Sequence, residues 1–203
     1  MIKIIDYKAG NAPSVMHAAN RLGYDAAFAR GPDDLAGATH IVLPGVGFAK
    51  ATMESICELG LLEELETAVL KNKVFFLGIC IGMQILFEHS EEGDADCLGW
   101  LGGSVKKFDA AKLRVPQIGW NRARFLQNAP IAARDDYFYF VNSYFASPKN
   151  EADIWAVTDY GGEFASAVHR GNIYGTQFHV EKSGEAGLEL LNGFLSLNGG
   201  GVC

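Results

Sequence analysis

An apolar run, Phe75-Phe76-Leu77-Gly78-Ile79, passes directly into Cys80-Ile81-Gly82-Met83-Gln84. The run predicts a short buried strand, and the residues after Cys80 predict a helix. Strand, sharp turn and helix form the repeating unit of a parallel sheet with helices on its faces. Glycines at 78 and 82 suit such a turn, because side chains there would strike the strand or the helix. This is the pattern of a nucleophile elbow, with cysteine where serine is usual.

The turn would lift the Cys80 sulfur clear of the sheet and set it at a helix N-terminus. Free N–H groups there favour negative charge and so favour thiolate. The N–H of Ile81, next in the chain, is a natural oxyanion donor. A lone cysteine is more often a small buried apolar residue; the two glycines and the strand–turn–helix context favour a nucleophile here. About a hundred residues on, Gly175-Thr176-Gln177-Phe178-His179-Val180-Glu181 supplies a histidine and a carboxylate. In an extended segment residues i and i+2 point the same way. Glu181 can then fix the tautomer of His179 and leave the other ring nitrogen to take a proton from the thiol. Cys80, His179 and Glu181 thus read as nucleophile, base and orienting group.

The elements around the elbow follow an α/β pattern. Expected strands are Ile2–Asp6, Tyr24–Ala29, His40–Leu43 and Val74–Ile79. Expected helices run from Asn11, as N-cap, to about Leu22, from Ala49 to Glu58, from Leu61 to Asn72, and from Ile81 to about Glu88, with a short one within Gly31–Gly37. Alternation of strand and helix predicts a mostly parallel sheet. After Gly103 short strands dominate: Gly103–Phe108, Arg122–Leu126, Tyr137–Val141, Ile154–Thr158, Phe164–His169 and Asn172–Phe178. A helix over about Ser183–Leu197 follows. The second half reads as an antiparallel addition to the same sheet. Residues 1–203 then form a single domain, with a glycine-rich tail at Gly199–Gly201.

A formal net charge of −7 argues against non-specific nucleic-acid binding, which needs clustered Lys and Arg. No apolar run reaches membrane-spanning length and no signal-peptide pattern opens the chain, so a cytoplasmic protein with no membrane partner is expected. The four cysteines, Cys57, Cys80, Cys97 and Cys203, show no C-x-x-C spacing, which suits free thiols. Cys57 is expected in the core. No metal site is expected.

Pro44-Gly45-Val46-Gly47 follows a strand at the edge where open α/β sheets place ligands. It reads either as a second oxyanion donor or as an ordinary tight turn. It is neither a P-loop nor a complete dinucleotide fingerprint. Tyr139–Tyr144 reads mostly as core and turn, with a substrate-binding role open for its polar end. In Pro116–Asn121, an exposed Trp120 would suit an interface and a buried one would be core.

Gly78–Phe87 and Gln177–Ser183 resemble the class I glutamine amidotransferases. Ile4-Ile5-Asp6-Tyr7, Gly10-Asn11, Pro44–Gly47, Gly82-Met83-Gln84, and Pro116 with Gly119-Trp120-Asn121 narrow the resemblance to the HisH family. These are the glutaminase subunits of imidazole glycerol phosphate synthase. The resemblance implies a three-layer, flavodoxin-like fold and hydrolysis of L-glutamine through a γ-glutamyl thioester on Cys80. It implies oxyanion contacts from Ile81, Val46 and Gly47, and glutamine binding by Gln84, Ser143 and Tyr144. It implies no cofactor. Ammonia would pass to a separate (β/α)8-barrel synthase subunit lying towards Trp120, Asn121 and Lys182, in a heterodimer that makes imidazole glycerol phosphate and aminoimidazole carboxamide ribonucleotide for histidine synthesis. An alternative implied by the resemblance is a subunit feeding another synthase, such as one that amidinates surface sugars. The chain departs from the family in having Val180 where proline is common, Lys8-Ala9 where a glycine often precedes Gly10-Asn11, and Gln117 where histidine is frequent.

Overall fold

Strands that are apolar at nearly every position sit where both faces of a sheet are covered, and the first half of the chain is built on such strands. A computed structural model describes residues 1–8, 11–126 and 129–198. Ala9 and Gly10, the tail at Gly199–Gly201 and Cys203 lie outside the described residues. The first half runs β1 (Ile2–Ile5), α1 (Ala12–Arg21), β2 (Ala26–Ala29), β3 (His40–Leu43), α2 (Ala49–Glu58), α3 (Leu62–Glu66), β4 (Phe75–Ile79) and α4 (Ile81–Gln84). All four residues of β3 are buried, as are Phe76 to Ile79 of β4.

The second half contributes β5 (His89–Ser90), β6 (Ala95–Asp96), β7 (Gly103–Lys107), β8 (Gln117–Phe125), β9 (Asp136–Asn142), β10 (Tyr144–Pro148), β11 (Ile154–Asp159), β12 (Glu163–Arg170), β13 (Ile173–Thr176) and α5 (Gly184–Leu195). Strands β2-β1-β3-β4-β13 are parallel and in the flavodoxin order. From β13 the sheet continues antiparallel through β12, β10 and β7, while β11 leads off β12 to the β8–β9 hairpin. The expected α/β architecture with an antiparallel extension is present. α1 packs with α5, and α2 with α4. Among the described residues no helix is long and apolar enough to cross a membrane.

Several elements differ from the sequence reading, each for a local reason. The helix expected over Leu61–Asn72 is α3 followed by a wider π turn, Thr67–Lys71. The Asn172 side chain donates to the carbonyls of Val69 (2.9 Å) and Val74 (2.7 Å), holding that end of the segment. The elbow helix expected to reach Glu88 stops at Gln84. Carbonyls of Ile85, Leu86 and Phe87 accept from Leu98, Leu101 and Gly99, so they are committed to a distant segment and not to a next helical turn. Strands β5, β6 and β10 were not anticipated, and β8 begins five residues before the expected Arg122. Cys57 is exposed and not core, because α2 buries the stripe Ala49, Thr52 and Ile56.

Candidate active site

The carboxyl ends of β1, β3, β4 and β13 lie side by side, and each loop leaving them carries one part of the site. The loop after β4 is a single residue, Cys80, with φ 55° and ψ −106°. A side chain with this backbone is strained, as expected where a nucleophile is forced out of a turn. A Cβ at Gly82 would fall on the carbonyl of Leu43, and one at Gly78 on the carbonyl of Gly82. The Cys80 N–H donates to Thr176 O at 2.7 Å, so it is not free for a ligand. Ile81, the first residue of α4, has an N–H with no intrahelical acceptor. With only four residues, α4 does not supply the helix dipole that the sequence suggested for Cys80.

The base comes from the loop after β13. Phe178 is fully buried, stacked on Phe138 with ring centroids 4.1 Å apart, and it anchors the segment. His179 then has its N–H on Tyr139 O (3.0 Å) and its carbonyl on Ser183 Oγ (2.6 Å). Ser183 Oγ in turn accepts from the N–H of Tyr139 (2.9 Å). This bracket supplies the rigidity that a proline at 180 would give. The ring Nδ1 of His179 lies 2.8 Å from Glu181 Oε1, and both side chains are buried. Glu181 belongs to a 3-10 turn, Val180–Lys182, and not to an extended segment. The pair therefore meets through the turn.

Burial alone would keep His179 neutral. Hydrogen bonds to Cys80 and Glu181, and the charges of both, outweigh it and raise its pKa to about 9. Burial likewise works against an ionised Glu181, but its hydrogen bond to His179, the imidazolium charge and Asn11 hold the carboxyl below its usual range. Asn11 Nδ2 donates to Glu181 Oε1 at 2.5 Å and lies 3.4 Å from His179 Nδ1. Asn11 makes no side-chain cap to α1, contrary to the sequence expectation. Its amide is turned to the carboxylate, 170 residues away.

Cys80 and His179 open onto a cavity of about 300 Å³. Val46, Gly47, Ile81, Gln84, Ser143 and Tyr144, the expected oxyanion and binding residues, all line it, and so does Lys182, which was expected towards the partner. Gly47 has φ +111°, a conformation that favours glycine, and the loop it belongs to lies against the elbow. The cavity also contains Glu92, a residue the sequence reading passed over. Glu92 accepts from the N–H of Ala49 at 3.0 Å, which ties it to the start of α2 beside the glycine loop. Burial pushes its carboxyl pKa up, and the bond from Ala49 pulls the other way. Such an array can hold a zwitterion, with a thiol and an imidazole facing one end of it.

The chain matches the model for "Glutamine amidotransferase class-I" over residues 3–196. It is 39% identical to the imidazole glycerol phosphate synthase subunit HisH of Leptospira interrogans, over 97% of this chain and 100% of that one. It is 42% identical to the HisH subunit of Neisseria meningitidis serogroup B, over 95% and 98%. This chain belongs to the class-I glutamine amidotransferases, in the HisH family. A solved glutamine amidotransferase superposes with a TM-score of 0.78 at 19% identity, over 96% of each chain. The PurLQS structure from Thermotoga maritima gives 0.75 at 19%, again over 96% of each. At that identity the two solved structures speak for the fold alone.

Within the amidotransferase, Trp120 and Asn121 lie on β8, outside the cavity. Trp120 is 56% exposed, with its ring near Tyr139. Asn121 Nδ2 donates to Asp159 O at 2.9 Å. Ile118, Tyr137 and Val141 are exposed on the same hairpin, and by register Ile118 faces Val141 while Trp120 faces Tyr139. Three residues at the site were missed or misread in the sequence: Asn11, Glu92 and Gln177. Gln177, whose Nε2 lies 3.6 Å from Cys80 Sγ, stands two residues before the histidine and could have been found from its place in the motif. Glu92 carries no such local signal.

Proposed function

We propose that this amidotransferase hydrolyses L-glutamine with Cys80, His179 and Glu181 as its triad. The observation that carries the reading is the contact geometry at the elbow: a strained Cys80, an imidazole raised towards its charged form, and a carboxylate 2.8 Å behind it, all on one cavity. The Cys80 thiolate attacks the side-chain amide carbon. The N–H of Ile81, with Val46 and Gly47 of the glycine loop, stabilises the oxyanion. His179 protonates the leaving nitrogen, ammonia departs, and a γ-glutamyl thioester remains. His179 then takes a proton from water, which attacks the thioester and releases glutamate. Glu181 orients the ring throughout and transfers no proton. The substrate α-ammonium lies towards Glu92, with Gln84 lining the same part of the cavity. Ser143 and Tyr144 close the same end. No cofactor takes part.

The ammonia is used by a (β/α)8-barrel synthase subunit that docks over the β8–β9 face, with Trp120, Asn121 and Lys182 towards it. The products are imidazole glycerol phosphate and aminoimidazole carboxamide ribonucleotide, in the cytoplasm. The whole chain acts as one domain. Exposed apolar residues on a hairpin that also borders the cavity support this docking. The test is co-expression of the wild-type chain or Cys80→Ala with the candidate barrel protein, assaying the synthase on glutamine and on ammonium. Cys80→Ala should copurify with the partner, lose glutamine-dependent turnover and keep the ammonium-dependent reaction. Normal glutaminase activity in Cys80→Ala would sink the mechanism. A barrel that gains nothing from the wild-type chain and glutamine would sink the partnership.

A further inference from the structure

Two buried amides next to the sulfur fix each other's direction. The backbone carbonyl of Tyr144 can only accept a hydrogen bond, so the end of Gln84 that lies 3.1 Å from it must be the nitrogen. The same Nε2 donates its second hydrogen to Gln177 Oε1 at 2.9 Å. Gln177 is thereby forced to turn its own Nε2 the other way, where it lies 3.6 Å from Cys80 Sγ. Gln84 and Gln177 are 1% and 0% exposed, so water does not compete for either amide. Sulfur as a thiol is a weak acceptor, and as a thiolate a much stronger one. A fixed N–H aimed at sulfur therefore favours the charged form.

We infer that Gln177 is a catalytic residue that holds the Cys80 sulfur as thiolate through its amide N–H, with Gln84 as the positioning residue behind it. The inference deepens the reading of Cys80 as nucleophile and rests on it. His179 and Gln177 are donors of different kinds. The proton of His179 leaves with the ammonia and must be replaced, whereas the N–H of Gln177 is never transferred. When the C–S bond forms, the sulfur electron pair passes from that N–H to the amide carbon. When water displaces the enzyme, the C–S bond breaks and the pair returns to sulfur, where the same N–H is waiting. His179 is at that moment engaged with the proton from water. Gln177 thus serves both halves of the cycle without exchanging an atom. A glutamine that only filled space would leave the reactivity of the sulfur untouched on removal.

The test is alkylation of the full chain by iodoacetamide at pH 6 and pH 9, without glutamine or partner, followed by mass spectrometry of the Cys80 peptide. Wild type is compared with Gln177→Met, which keeps much of the volume and removes the donor, and with Gln84→Met, which removes the acceptor's anchor. Wild-type Cys80 should react at pH 6 far faster than a free thiol. Gln177→Met should lose about tenfold of its rate at pH 6 and little at pH 9, the size expected for one hydrogen bond to a charged group. Gln84→Met should shift the pH 6 to pH 9 ratio the same way by less, and it decides the matter if Gln177→Met does not fold. An unchanged ratio in the folded variants overturns the role of Gln177 and leaves Cys80 as nucleophile. A wild-type Cys80 no faster at pH 6 than a free thiol overturns the nucleophile reading itself, and the inference with it.

Discussion

The parallel sheet has a buried histidine at each end, and the two are held in opposite states. His40 opens β3 at the amino edge, its ring stacked on Phe75 at 5.2 Å and edge-on to Phe194 at 5.4 Å. Burial there, with the nearby Met1 ammonium, pushes its pKa down, and the backbone carbonyls of Leu197 and Phe194 offset only part of this. His179 lies beyond the carboxyl edge, even more fully buried, and its pKa rises to about 9. The difference is not depth. It is that His179 faces a thiol and a carboxylate, whereas His40 faces aromatic rings, the Thr39 hydroxyl and the Met1 ammonium, with no carboxylate among its partners in the described residues. One sheet therefore keeps a neutral imidazole as core at one end and a charged one as chemistry at the other. The covering differs too: α5 brings Phe194 over the amino edge, while the carboxyl edge is bordered by the exposed β8–β9 face.

The comparison breaks most sharply if the carboxylate is removed. Glu181→Gln keeps the shape of the side chain and takes away the charge that holds His179 up. Glutaminase turnover should fall by roughly ten- to ten-thousand-fold, less than for loss of Cys80 or His179, because the third member orients and does not transfer a proton. The pKa of His179, followed by NMR, should move down, in the direction of His40. Asn11, left facing a neutral amide, loses its charged partner. Full activity with an unmoved His179 would show that the carboxylate is a bystander.

A second test asks whether the carboxyl edge is where a partner sits. The isolated chain should be a slow glutaminase, activated by the barrel subunit and its nucleotide ligand. Trp120→Ala should leave the slow basal rate alone and raise the partner concentration needed for half-activation by about ten- to a hundredfold, as expected for a large aromatic at an interface centre. Titration of partner against glutaminase rate reads this directly. An unchanged titration curve would move the docking surface elsewhere.

Much of the carboxyl edge was legible because its chemistry is written in contiguous residues. An elbow needs glycines two positions either side of its nucleophile, and a histidine needs its carboxylate close by. The buried strands β3 and β4 were legible because continuous apolar runs have few other uses. The failures came from contacts distant in sequence. Asn11 before a helix looks like a cap whether it caps α1 or reaches Glu181. Ile85–Phe87 continue a helical pattern, and only the carbonyl acceptors claimed by residues 98–101 end the helix. Glu92 sits in an acidic, polar stretch like any surface turn, and becomes a cavity residue only once that segment folds against α2. Trp120 was left open between core and interface, a choice that depends on what lies opposite β8.

The smallest effect should come from the amino edge, and should touch stability alone. His40 has a folded pKa below its ordinary 6.5. The unfolded chain then binds a proton that the native one refuses, so the contribution of His40 is complete above pH 6.5 and declines as the pH falls through that value. It levels off once the pH is below the folded pKa. His179 tilts the other way: its raised pKa gives stability that is complete below 6.5 and lost as the pH rises through about 9. His40→Phe keeps a ring between Phe75 and Phe194 and removes the titrating group. Thermal unfolding of both proteins at pH 7.5 and pH 5.5 isolates the term, because every other group is common to the pair. Wild type should lose more on acidification than His40→Phe, by on the order of a few degrees for a chain of this size, with glutaminase activity at pH 7.5 the same in both. Equal acid slopes would mean that His40 is protonated as readily in the fold as out of it, and the contrast between the two ends of the sheet would then rest on His179 alone.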